Sequence, residues 1–234
     1  MKAILKHVND KLAKHNLILD QDAVIKEYEQ VKKVWDEIIK SIETPVNFLI
    51  VGEATVNWQN YFYNPEAPTT SFLTPSHFGI DNKKRKANNK TELNDEKSKL
   101  IDLFTKNKIL VFDLYPLPLP TFIYDNIKFD CSMEDQYVIA MCKYYKESLI
   151  ENKIINEETV IVSRYAKFYK EKKNEKGEIV KNKHENVVIN EKRFEWEIFM
   201  KTIDKKINDF KSIYGGYNAD PKKVSNLFKK IFAK

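Results

Sequence analysis

The chain has 234 residues, 42% apolar and 12% aromatic, enough to bury one sizeable core and too apolar for wholesale disorder. Its net charge of +6 rests on 40 basic residues of which only Arg85, Arg164 and Arg193 are arginines, and hydrated lysine charges do not by themselves mark a nucleic-acid reader. Two cysteines, Cys131 and Cys142, exclude a disulfide scaffold and a four-cysteine zinc site, and no apolar run approaches the roughly 20 residues that span a bilayer, so a soluble cytoplasmic protein with no membrane partner is expected.

Ile4, Leu5, Val8 and Leu12 recur at helical spacing. Val24, Tyr28, Val31, Trp35, Ile38, Ile39 and Ile42 repeat the pattern, with Asp20 or Asp22 as N-cap. Two amphipathic helices therefore open the chain, and Pro45 stops the second. Residues 46–51 (VNFLIV) read as a strand apolar on both faces, buried in a sheet and ending at Gly52. Residues 53–80 form an aromatic loop broken by Pro65, Pro68 and Pro75. A loop that long inside a compact domain is functional or disordered, and this one is too aromatic for disorder.

Residues 83–90 (KKRKANNK) read as an exposed basic linker. A helix over 92–107 follows, then a second buried strand at 109–112 (ILVF) that runs into Asp113-Leu114-Tyr115 and a stiff PLPLP loop. Further on, the pattern predicts a helix over 132–150, a third strand at 159–162, a charged excursion at 170–185 and a fourth strand at 187–189. A helix over 191–210 and a last one from Pro221, where proline suits a first turn, complete the chain.

Long helices alternating with short, fully apolar strands predict an α/β fold: three layers, α/β/α, around a central, mostly parallel four-stranded sheet. One domain over residues 1–234 is expected, with the helical pair 1–43 packed on it, and a monomer is the default. Ligands of such sheets bind beyond the carboxyl ends of the strands. Those ends carry Gly52-Glu53, Asp113-Leu114-Tyr115, Ser163-Arg164 and Asn190.

Five glycines and no phosphate-binding glycine loop argue against ATP and NAD enzymes, and no cofactor is expected. The histidines (His7, His15, His77, His184) are scattered, so no histidine-based metal site is expected, and His7 and His15 are read as surface residues of the first helix. Glu53 and Asp113 end neighbouring buried strands, where a carboxylate is partly desolvated and suited to acid–base work or to holding a water. Their alternative role is to cap a loop or pair with lysine. Trp58, Tyr61, Phe62, Tyr63, Phe72 and Phe78 have two readings as well: a satellite hydrophobic cluster under the loop, or a platform on which a flat, base-like ligand stacks. The prolines break any period that would place all six in one core.

Val51-Gly52-Glu53-Ala54, then Tyr61-Phe62-Tyr63-Asn64-Pro65 and Ser71-Phe72, resemble the opening of the uracil-DNA glycosylase superfamily. In that family the loop leaving the first strand carries the water-activating residue, and a following aromatic stacks on the extruded base. The resemblance gives these roles to Glu53 and Phe72, with Tyr61, Tyr63 and Asn64 around the base. Asp113, in VFDLYPLP, stands where the family has an asparagine that reads the pyrimidine edge. Val162-Ser163-Arg164-Tyr165-Ala166-Lys167 and Tyr214-Gly215-Gly216-Tyr217-Asn218 are similar to later family segments, which implies nucleic-acid contacts at Arg164, Lys167 and Asn218. Ala54 stands where one branch places its catalytic aspartate, and residues 187–194 (VVINEKRF) lack the family's histidine, so the resemblance implies a diverged member.

Three readings follow. The first is a glycosylase-like DNA-repair hydrolase that cleaves the N-glycosidic bond of a damaged or unusual base, with DNA as partner and Glu53 and Asp113 as catalytic groups. The second is an inactive nucleic-acid- or nucleotide-binding relative. The third is a small-molecule α/β hydrolase using Glu53 and Asp113 as its acid–base pair.

Overall fold

The computed structural model describes residues 2–13, 16–54, 58–64, 78, 90–117, 135–164, 175–176, 178, 193–213 and 219–232. Helix α1 (Lys2–Ala13) and helix α2 (Gln21–Ser41) open the chain. Asp20 caps α2, its carboxylate accepting from the Ala23 N–H at 3.0 Å. Strand β1 (Phe48–Ala54), helix α3 (Lys90–Lys106) and strand β2 (Ile109–Tyr115) follow. Helix α4 (Asp135–Tyr145) widens into a single π turn at Lys146–Ile150 before strand β3 (Val160–Ser163). Helix α5 (Arg193–Thr202), strand β4 (Lys211–Ser212) and helix α6 (Pro221–Phe232) close it. Asp220 precedes α6, and its carboxylate accepts from the N–H groups of Lys222 and Lys223.

The four strands run parallel in the order β2-β1-β3-β4. The strands expected at 46–51, 109–112 and 159–162 are neighbours in one parallel sheet, with β1 extending past Gly52 to Ala54. Residues 187–189, expected as the fourth strand, lie outside the described residues. The strand beside β3 is Lys211–Ser212, too short to leave a period in the sequence. The expected helix over 191–210 ends instead at Thr202. Asp204 is left-handed (φ 55°), and the Lys205 N–H closes back on the Met200 carbonyl at 2.9 Å, a stop set by backbone geometry without a glycine.

Register pairs Phe48 with Ile109, Ile50 with Val111 and Gly52 with Asp113, so these residues share one face of the sheet. On that face the Phe48 ring meets Phe228 of α6 at 5.1 Å, and Phe78 bridges Phe104 of α3 and Phe228. On the other face Phe112 meets Trp35 of α2, Tyr144 of α4 and Phe199 of α5 at 5.4–6.0 Å. Helices thus cover both sides of the sheet, giving the three-layer α/β/α arrangement. α1 packs on α4, and here one expectation is corrected: His7 is buried, its ring 4.3 Å from that of Tyr137. It follows Ile4 by three residues and so lies on the same covered stripe of α1. His15 lies outside the described residues.

β2 is an outer strand, and its free edge is covered by tyrosine hydroxyls. The Val111 N–H donates to the Tyr63 hydroxyl at 2.7 Å and the Tyr144 hydroxyl donates to the Asp113 carbonyl at 3.2 Å, while the Tyr145 hydroxyl donates at 3.0 Å to the Leu114 carbonyl, on the side of the strand that faces β1. Burial pushes the pKa of all three hydroxyls upward, so they remain neutral donors and acceptors. Tyr63→Phe removes the acceptor of a buried N–H and is expected to lower stability by about 1–3 kcal/mol in urea denaturation. An unchanged midpoint would show that the edge does not need the hydroxyl.

Candidate functional site

The parallel register brings the predicted strand-end residues to one rim of the sheet. Gly52 and Asp113 are direct partners, and the Arg164 N–H, one residue past β3, donates to the Val51 carbonyl at 3.1 Å. Glu53 lies inside β1, between Gly52 and Ala54. The Gly52–Asp113 contact is unusually close: a methyl group on Gly52 would overlap the Asp113 Oδ1. The absent side chain at 52 therefore leaves the space that the carboxylate fills. Phe72, Lys167 and Asn218, the remaining site candidates, lie outside the described residues.

The aromatic segment after β1 departs from expectation. Trp58–Asn60 forms one 3₁₀ turn, and Tyr61, Phe62, Tyr63 and Phe78 are buried in the main core and not in a satellite cluster under the loop. The turn supplies what periodicity could not. The Tyr61 N–H donates to the Trp58 carbonyl, the Asn64 N–H to the Tyr61 carbonyl, and Asn64 Nδ2 to the Trp58 carbonyl at 2.9 Å. Rings of consecutive residues are thereby turned inward together. Phe62 stacks on Phe104 of α3 at 5.6 Å and Tyr63 contacts Trp35 at 6.4 Å. Tyr63 and Asn64 thus serve the shape of the segment, while the neighbours Tyr61 and Phe62 both line a cavity.

That cavity, about 340 Å³, lies outside the edge strand β2, between α2 and the π turn after α4. Val31, Phe62, Val111 and Phe112 are buried residues of its lining, and Asp113 reaches it from the strand end. The hydroxyls of Tyr61 and Tyr144 are held in the protonated form first by burial, with the Asp113 carboxylate adding to the effect. At Tyr28 on α2, burial again comes first, followed by Glu147 and Asp36. Nothing in the sequence marked Trp35, Tyr144 or Glu147 as site residues. Trp35 and Tyr144 fall on helical positions that read as core, and their place at a cavity depends on the sheet edge they cover.

Lys97 was also missed. It is buried in α3, and its ammonium donates to the Tyr61 carbonyl at 3.2 Å, tying the helix to the cavity-lining segment. Burial lowers its pKa to about 8 from the ordinary 10.5.

No protein-family model matches this chain, and neither the curated proteins nor the solved structures give a significant match. Among the described residues no helix is long and apolar enough to cross a membrane.

Two outcomes test this geometry. Gly52→Ala should displace the Asp113 carboxylate, and a double-mutant cycle with Asp113→Ala should show coupling of about 0.5–3 kcal/mol; additive effects would mean that the two do not compete for space. Between pH 8 and 10.5 an unfolded lysine keeps the proton that folded Lys97 has released, so stability rises with pH across this window, by at most about 3 kcal/mol. Buried tyrosines act oppositely above pH 10. Denaturation at pH 8 and pH 10 should therefore show a rise in the native chain that Lys97→Met lacks.

Proposed function

We propose that the chain is a uracil-DNA glycosylase-like protein that hydrolyses the N-glycosidic bond of a damaged or unusual base in DNA. The observation that carries the reading is the seating of the Asp113 carboxylate over Gly52, at the paired ends of β1 and β2. The resemblance gives one of these positions to the loop that activates water and the other to the residue that reads the base. An α/β/α sandwich on a parallel sheet is also what the resemblance implies. In this mechanism Glu53 takes a proton from the attacking water as the water oxygen bonds to C1′ and the bond from C1′ to the base nitrogen breaks, that proton then passes to the departing base nitrogen, and Phe72 stacks on the extruded base. Asp113 accepts from the base edge. A carboxylate offers acceptors only, so it favours a base with an exocyclic amine and repels the carbonyl edge of uracil. Arg164, Lys167 and Asn218 hold the backbone phosphates.

The test is incubation with single strands and duplexes that each carry one altered base, scored as abasic sites. Cleavage is expected at an amine-bearing base. Any uracil excision should be slow beside that of ordinary repair enzymes, because Ala54 and the missing histidine each remove a group worth about 10² to 10⁴ in rate. Glu53→Gln should abolish cleavage while leaving binding intact, and Phe72→Ala should weaken binding by about 1–3 kcal/mol. Asp113→Asn should move the preference toward uracil, since it exchanges an acceptor for a donor. Failure of the native chain to release any base, on either strand form, would rule out the enzyme reading.

A further inference from the structure

We propose that the cavity outside β2 is a binding site for a flat organic cation, an aromatic ring bearing a protonated amine. This goes beyond the glycosylase reading and does not depend on it. The cavity's volume of about 340 Å³ lies within the range of small-molecule pockets, roughly 300–1,000 Å³. Its walls are aromatic: Trp35 from α2, Tyr61 and Phe62 from the turn after β1, Phe112 from β2 and Tyr144 from α4. Such walls accept a flat ring, and their faces attract a cation.

The charge on the lining selects the sign. Among the described lining residues stand four carboxylates, Asp36, Asp113, Glu147 and Glu151, and one ammonium, that of Lys32. Lys32 is itself paired with Asp36, and Glu147 has an exposed partner, Lys143, at 3.5 Å, a pair that solvent screens. A phosphate or carboxylate ligand would meet net repulsion here. A metal ion is not the occupant that the geometry favours: among the described residues no three His, Cys, Asp or Glu side chains gather closely enough to hold one. The carboxylates are spread, with Glu147 and Glu151 exposed, Asp36 half-buried on α2 and Asp113 at the strand end, which suits an extended cation. The π turn at Lys146–Ile150 contributes to this shape. It breaks the α-helical spacing where Glu147 and Ser148 meet the cavity, a distortion frequent at functional sites.

The experiment is calorimetric titration of the full chain with three probes that share one ring and differ in charge: tryptamine, tryptophol and indole-3-acetate. Tryptamine should bind saturably, about tenfold or more tighter than tryptophol, and indole-3-acetate should show no binding. Glu147→Gln with Glu151→Gln, both exposed, should weaken tryptamine roughly threefold to tenfold and leave tryptophol unchanged. Ser148→Trp should fill the mouth and abolish binding of both. Asn152→Trp, on an exposed residue, is the second blocking variant, and circular dichroism checks that each variant is folded. Equal affinity for indole-3-acetate, tryptamine binding that survives blocking, or no saturable tryptamine binding would each overturn the proposal. All of these titrations are run without nucleic acid, so none of their outcomes decides whether base excision occurs.

Discussion

The free edge of β2 is the constraint on which the site depends. An outer strand presents N–H and carbonyl groups that need partners once helices bury them. This chain meets the need with phenol hydroxyls: Tyr63 accepts from Val111, and Tyr144 donates to Asp113. A phenol reaches farther than a short polar side chain, so the elements that carry these rings stand off from the strand. The 61–64 turn approaches from one face and α4 from the other. α2 then spans the gap with Trp35, whose ring contacts both Tyr63 and Phe112. The cavity is the space left between these long side chains.

What was legible in the sequence follows from what periodicity can carry. The strands read at 46–51, 109–112 and 159–162 were visible because burial on both faces makes them continuous apolar runs, and α2 because Asp20 and a wide apolar stripe mark it. β4 was not legible, since two residues have no period and its place is set by pairing to β3. His7 was misjudged because a polar side chain on a covered stripe looks exposed until its partner, Tyr137, is known. The aromatic segment was underestimated for a related reason. One 3₁₀ turn turns consecutive rings inward, and no pattern of spacing encodes such a turn.

For the site, the sequence located the strand ends but not their mutual fit. Asp113 was visible as a carboxylate ending a buried strand. That Gly52 is small because Asp113 fills the space above it depends on register alone, and register is a property of the sheet. Lys97 shows the same limit. Within α3 it is one lysine among several, and only the fold turns it toward the Tyr61 carbonyl and away from water.

Asp113 belongs to both proposed places at once, and that sharing has a thermodynamic consequence. Its carboxylate is the acceptor seated over Gly52, and it also lines the edge cavity among the hydroxyls of Tyr61 and Tyr144. A cation in the cavity would draw on the same negative charge that a base amine uses at the strand end. In a partly buried setting this competition is screened less than it would be in water. Linkage makes it reciprocal, so whatever factor the cation takes from affinity for the base, the base takes from affinity for the cation. The strength of the effect is set by how rigidly the carboxylate is held. The backbone under it is held at the strand edge, with the Asp113 carbonyl accepting from Tyr144 and the Val111 N–H donating to Tyr63, and the carboxylate itself sits in the space above Gly52. With both proposed sites occupied, Asp113 would thus be the residue through which the strand edge links them.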